Sequence, residues 1–273
     1  MSERFPLRFF GVTFLWSWLI WSPLVLVGLG VLQMDEGTWS IIATPIAYLG
    51  AFGPAVGACY SVWTLKGRKV LIDFLKSFLS LRFGWKVWAA IFGVLSAVNV
   101  VAWYTPELFG QDRLSMLLPS ALVFPAWWLL MVVVGGGQEE IGWRGYILEP
   151  MEAKFGIWVG NIVLGLVWTA WHLPLFLVPG TSQTYMPLAA FAIGLIGESF
   201  FFSWVMKVSG GKPLSAVIAH GTANAIVPLF PTIVMAADVA QTRWWIHQTL
   251  LLVVGVLFML HHVRSSARRG KGQ

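Results

Sequence analysis

The stretch "GGGQEEIGWRGY", residues 135–146, sets Glu139, Glu140 and Arg144 within six positions. It follows directly on the apolar run "LVFPAWWLLMVVV", in a chain of which only 11% of residues are charged. A charge near the centre of a membrane helix costs about 2.5–3.5 kcal/mol on insertion scales, so three would cost roughly 8–10 kcal/mol without compensation. That is comparable to the stability of a whole domain, so partners must exist. Glu140 and Arg144 are four apart, and a helix puts them on one face within ion-pair reach. Arg144 offers a fork of donors and stays charged. Glu139 is turned about 100 degrees away from Glu140 and lacks that partner. The set divides into one structural carboxylate, Glu140, and one free for proton chemistry, Glu139. The plainer alternative is a cytoplasmic helix end whose charges face water.

Two later apolar segments carry polar groups that can complete such a site. "WTAWHLP" places His172 in a span, four residues after Trp168 and two before the helix-bending Pro174. "AHGTANA" places His220 and Asn224 four apart on one helical face. A lone buried histidine is usually a satisfied core residue. Two histidines, an asparagine and an unpaired glutamate together point to a joint polar site. Glu198, in "GESFFF", is a further intramembrane carboxylate that the sequence alone gives no single role. His247, His261 and His262 lie near predicted membrane edges and read as interfacial, without a role.

Several intramembrane chemistries are excluded by what is missing. No H-E-x-x-H occurs, so the common zinc metalloprotease helix is absent. Asp35, Asp73, Asp112 and Asp238 fall in loops or on an interfacial stretch, which leaves no aspartyl dyad. No G-x-S-G nucleophile lies in a span, and "GGGQ" lacks the Lys-Ser/Thr of a phosphate loop. A carboxylate, two imidazoles and an amide remain. Glu139 could take a proton from a water held by His172 and His220, with Asn224 holding the water or donating to the developing oxyanion. Alternatively Glu139, His172 and His220 hold a divalent metal such as zinc that acidifies the water. Both versions hydrolyse an amide and need a water-filled cavity open to the cytoplasm.

The elements that position these groups are membrane helices. Apolar residues make up 58% of 273, with 17 Trp and 19 Phe, and the mean hydropathy is +0.75. A soluble domain has about a quarter charged residues, so the composition marks an all-α polytopic membrane bundle. Eight spans are expected, near 9–32, 41–65, 86–105, 119–140, 158–177, 187–206, 214–231 and 243–262. The seventh is short and ends at Pro228 and Pro231. They form a single domain over 1–273, with the catalytic core at about 119–231. Residues 9–32 are too long for a cleavable signal, so the first span is expected in the mature protein. The single cysteine, Cys59, forms no internal disulfide and leaves the redox compartment open.

Charge orients the bundle. Fifteen of the 18 Lys and Arg residues fall on segments that are cytoplasmic if the N-terminus is, and only Arg113 and Arg243 fall on the other side. The positive-inside rule then puts both termini in the cytoplasm. The same reading assigns the net charge of +6 to loops at the membrane surface, and no nucleic acid is expected as a partner. Residues 69–82 carry Leu71, Phe74, Leu75, Phe78 and Leu79 at three- and four-residue steps, which predicts an amphipathic helix on the inner leaflet and contact with membrane lipid.

In order and spacing, the three motifs resemble those of the CAAX protease and bacteriocin-processing family of intramembrane endopeptidases, also called the Abi family. "EEIGWRG" matches E-E-x-x-x-R at Glu139, Glu140 and Arg144. "WTAWH" resembles F-x-x-x-H ending at His172, and "HGTAN" matches H-x-x-x-N at His220 and Asn224. The resemblance covers roughly 119–231. It implies an eight-helix fold in which Glu139 activates the hydrolytic water. His172, His220 and Asn224 would position that water or its metal, and Arg144 would support the glutamates. Trp168 departs from the usual Phe, which is expected to alter the shape of a packing position and not the proton chemistry.

The expected function is peptide-bond hydrolysis inside the membrane, on prenylated CAAX-type or other hydrophobic peptides. The expected place is the cell membrane of a prokaryote. The alternative from another class is a non-proteolytic transporter, immunity protein or scaffold using the same polar cavity. Carriage would also place Glu139, Glu140 and Glu198 in spans, but has no evident need of His220 and Asn224.

Overall fold

Prolines and hydroxyls shape the first hairpin. Helix α1, Leu7–Gly28, is long enough at 22 residues to cross a bilayer, about 33 Å at 1.5 Å per residue. Pro23 has no N–H to give the carbonyl of Leu19, and the Ser22 hydroxyl donates to that carbonyl at 2.8 Å instead. The returning arm is two helices, α2, Glu36–Gly50, and α3, Gly53–Lys76. Pro54 breaks the bond to the Gly50 carbonyl, and Ser17 of α1 donates to it at 2.7 Å. The predicted span at 41–65 is therefore interrupted near 51–52, at a point repaired from the neighbouring helix. At the start of α2, Asp35 accepts from the Thr38 amide and hydroxyl, and these bonds hold its carboxyl below the usual carboxylate range.

The structure, a computed structural model, describes residues 5–270. It is 79% helical, with no strand among the described residues. The remaining helices are α4, Gly84–Tyr104; α5, Phe124–Val133; the short α6, Glu140–Gly142; α7, Leu148–His172; α8, Leu188–Val208; α9, Leu214–Ile226; and α10, Thr242–Gly270. Among the described residues six runs are long and apolar enough to cross a membrane: Leu7–Gly28, Glu36–Leu79, Gly84–Phe109, Ala121–Leu177, Leu188–Val208 and Thr242–Arg268. The chain is an integral membrane protein with a helical-bundle fold. The run Ala121–Leu177, at 57 residues, takes in two predicted spans, and it is broken inside α7 at Gly156, where φ is 76°.

Past a second break at Gly67, α3 continues into the stretch expected to be amphipathic and ends in a 3-10 turn, Ser77–Leu79. Residues 80–82, the end of the expected amphipathic stretch, are not helical. Its apolar stripe divides. Leu71, Phe74 and Phe78 are partly buried against the protein, while Leu75 and Leu79 stay exposed and face outward. Phe78 lies against Gly145, so this arm closes over one end of the polar segment.

Helix α9 is the centre of the bundle. Eleven of its 13 residues are buried, as a helix apolar and small on every side should be. At 13 residues it is too short to count as a full span. Helix α8 packs along α10 through small residues. At Gly255 a side chain would strike the Gly197 carbonyl, so the two backbones touch. His247 belongs to this interior and not to the membrane edge expected for it. It is 5% exposed, stacks on Trp244, and meets Gln248 at 3.0 Å through Nδ1. An apolar core of Trp21, Trp143, Trp168 and Trp171, each at most 1% exposed, surrounds the polar residues.

Candidate active site

The polar segment begins where α5 fails. After Val133 the chain turns through Gly135 and Gly136, and Gly136 takes φ 125° and ψ −38°, a conformation open to glycine. Its amide donates to Gln138 Oε1 at 2.9 Å, which steadies the turn. A 3-10 turn, Gly137–Glu139, leads into α6 and then a π turn, Trp143–Ile147, before α7 starts. Such π turns arise where a helix is widened to aim side chains, often at functional sites.

Glu140 and Arg144 form the ion pair that their spacing permits. Arg144 Nη1 donates to Glu140 Oε1 at 3.0 Å, and neither side chain has exposed surface. A water-facing helix end is thereby ruled out. The same Oε1 accepts from His220 Nδ1 at 2.9 Å, so Glu140 joins the α6 segment to the central helix α9. Arg144 also lies 4.7 Å from the Trp168 ring centre and 5.2 Å from that of Phe202, and these faces stabilise its charge. Its Nε and Nη2 have no hydrogen-bond partner among the described residues, nor does Glu140 Oε2.

Glu139 points the other way. Its Oε2 accepts the indole N–H of Trp168 at 2.8 Å, and it is 5% exposed. His172 lies one helical turn beyond Trp168 on α7. Its Nδ1 is 2.9 Å from the Trp168 carbonyl, which can only accept, so Nδ1 carries the proton and Nε2 of the neutral ring has a lone pair. Trp171 and Phe191 pack edge-on against the His172 ring, with centroids 4.6 and 5.1 Å away.

On α9, Asn224 Nδ2 donates to the Gly135 carbonyl at 2.7 Å, and the amide keeps a second N–H. A Cβ on Gly136 would come 2.6 Å from His220 Nε2 and would strike Asn224 Nδ2. The glycine turn and the two α9 side chains thus share one small space, reached also by the Glu139 amide, which donates to the Gly136 carbonyl at 3.0 Å. Five of the six candidate residues make contacts around Trp168 or the turn, and Glu140 completes the set through Arg144 and His220.

Glu198, half-buried on α8, lies within electrostatic range of Arg144 and Glu140. The divalent-metal arrangement has less support. Among the described residues no three His, Cys, Asp or Glu side chains come together as ligands. An indole N–H takes Glu139 Oε2 and a carboxylate takes His220 Nδ1, which leaves Glu139 Oε1 and the Nε2 atoms of His172 and His220 as the positions a ligand would use.

Three features escaped the sequence. Trp168 was expected to alter shape alone, yet its N–H bonds the candidate base; only its indole, in place of a phenyl ring, hinted at this. The second is a network beside the Gly156 break. Glu152 accepts from Asn161 at 3.0 Å and from Lys207, while Ser199 and Ser203 donate to Asn161 Oδ1 at 3.3 and 2.6 Å. The third is the bond from Trp171 to Ser17 at 2.8 Å, which fastens α7 to α1 beneath the site.

Comparison with known proteins falls on the same segment. Residues 119–226 match the family described as Type II CAAX prenyl endopeptidase Rce1-like. The CAAX prenyl protease 2 of Methanococcus maripaludis is 20% identical over 229 residues, covering 80% of this chain and 82% of the relative. Residues 119–226 are thus similar to the Rce1-like family, and Glu139, Glu140, Arg144, His172, His220 and Asn224 all lie within the matched segment.

Proposed function

We propose that the chain is an intramembrane endopeptidase in which Glu139 takes a proton from a water that attacks a peptide carbonyl. The substrates are prenylated CAAX-type or other hydrophobic peptides, as the name of the archaeal relative suggests. One observation carries the reading: the Glu139 carboxylate, His172, His220 and Asn224 come from three separate segments and meet around Trp168 and the Gly136 turn.

The Oε1 lobe of Glu139, the one that Trp168 does not hold, is the base. His172, with its proton on Nδ1, offers the Nε2 lone pair to the second hydrogen of the water and so fixes its orientation. As the water oxygen bonds to the carbonyl carbon, the second N–H of Asn224 stabilises the oxyanion. The Glu140 carboxylate, bonded to His220 Nδ1, fixes that ring beside the Gly136 turn. Collapse breaks the C–N bond, and Glu139 returns its proton to the leaving amine. The step needs no metal.

A farnesylated peptide with a quenched fluorophore, given to the purified full-length chain, tests this. Cleavage by the wild type should fall to background in Glu139→Ala, and dialysis against a stringent chelator should leave the wild-type rate within about twofold, since no ligand is removed. Equal cleavage by wild type and variant would sink the assignment. Loss on chelation, reversed by added zinc, would overturn the metal-free step.

A further inference from the structure

We propose that Trp168 is a positioning residue for the reaction, its indole N–H holding the Glu139 carboxylate in the orientation that presents the other oxygen to water. The inference rests on the reading of Glu139 as the base. Trp168 is 1% exposed on α7, and its N–H reaches Glu139 Oε2 at 2.8 Å. Its ring face lies under the Arg144 guanidinium, its ring meets His220 edge-on with centroids 5.1 Å apart, and its carbonyl holds His172 Nδ1. One side chain and its backbone thus touch the base, the cation and both imidazoles.

Packing alone does not explain the bond. The indole N–H groups of Trp127 and Trp244 are also buried and have no partner among the described residues, so the bundle accepts unpaired indoles. At Trp168 the donor is aimed at a carboxylate, where a hydrogen bond is charge-assisted and strong. A phenyl ring would fill most of the same space against Phe202 and His220 and could not donate. The carboxylate would then keep its place in the chain but lose the contact that fixes its plane. A base free to rotate spends less time aligned with the water, and the loss falls on the chemical step more than on peptide binding.

Two substitutions separate orientation from packing. Trp168→Phe removes the N–H and some volume. Replacement of Trp168 by 3-benzothienylalanine removes the N–H and keeps the bicyclic shape, so it decides the matter if Trp168→Phe does not fold. With the quenched farnesylated peptide, both should lower kcat about tenfold or more, the effect of losing a hydrogen bond to a charged group, with KM within about twofold. A wild-type kcat in the benzothienyl variant would overturn the proposal.

A second readout does not depend on cleavage. The indole 15N–H resonance missing from Trp168→Phe should move in Glu139→Gln, because its acceptor changes from a carboxylate to an amide. If it does not move, the bond and the proposal fail together. If wild type cleaves nothing while the resonance does move, the peptidase reading falls and the Trp168–Glu139 contact stands without a catalytic role.

Discussion

Arg144 has no exposed side-chain surface, and its charge is met by one oxygen of Glu140 and two aromatic faces. Burial of this kind makes each partner costly to remove alone, because the other is left charged in a dry place. Glu140→Leu should lower the unfolding free energy by about 3–5 kcal/mol, and Arg144→Met by a similar amount. The double variant should cost clearly less than their sum, since it removes both charges together. Thermal unfolding of the four proteins in one detergent measures the coupling. Strictly additive losses would mean that the pair contributes nothing as a pair. The bond from His220 to the same Glu140 oxygen adds a functional consequence, for Glu140→Leu also frees the α9 imidazole beside the Gly136 turn. Four-residue spacing was enough to foresee the ion pair. It could not reveal this third partner, which is 80 residues away and arrives only by tertiary packing.

At the scale of elements, the site depends on interruptions in helices. The break between α5 and α6 places Gly136 against His220 and Asn224, and only the lack of a side chain makes room. Gly136→Ala puts a methyl group into that space at a φ of 125°, strained for any L residue. The expected result is a protein that still inserts and purifies but cleaves about 100-fold more slowly, the size of loss that follows from a misplacement of roughly 1 Å. Comparing kcat with the yield of monodisperse protein tests this, and an unimpaired kcat would show that the turn is not part of the site. The three glycines were visible in the sequence, and they were informative there only as the lack of a phosphate loop. Hydropathy and spacing carry α1, α4 and α8 to within a few residues of their observed bounds, and α10 at its start, because long apolar runs leave little choice in lipid; the polar end of α10 runs on past the expected 262 to Gly270. Breaks at 51–52, Gly136 and Gly156 depend on which neighbour repairs a freed carbonyl or meets a kink. Ser17 for Gly50 and Asn161 with Glu152 for the Gly156 region are long-range choices, which local periodicity does not record.

Across the whole molecule, the basic residues gather at one end through contacts as well as by sequence position. Arg8 donates to Thr64 at 2.9 Å, Lys154 lies 4.3 Å from the Phe5 ring centre, Lys207 pairs with Glu152, and Lys212 donates to the Arg82 carbonyl. At the far end of α4, Arg113 forks onto Glu107 at 3.0 and 2.8 Å, which holds its guanidinium above the usual range, and Arg243 is spent on the carbonyls of Trp103 and Asp112. Positive charge is therefore concentrated on the end that carries the amphipathic arm of α3, where anionic lipid would meet it. We expect that end, with both termini, to face the cytoplasm. The single cysteine makes the test clean. In a Cys59→Ser background, a cysteine at exposed Val239 should react with a membrane-impermeant maleimide in intact cells, and one at exposed Ser266 should react only after lysis. The reverse pattern would invert the protein, and labelling of both from outside would place the C-terminus on the wrong side for an even number of crossings. On the proposed reading of Glu139 as the base, a cytoplasmic entrance would offer it chain ends made there and not secreted ones.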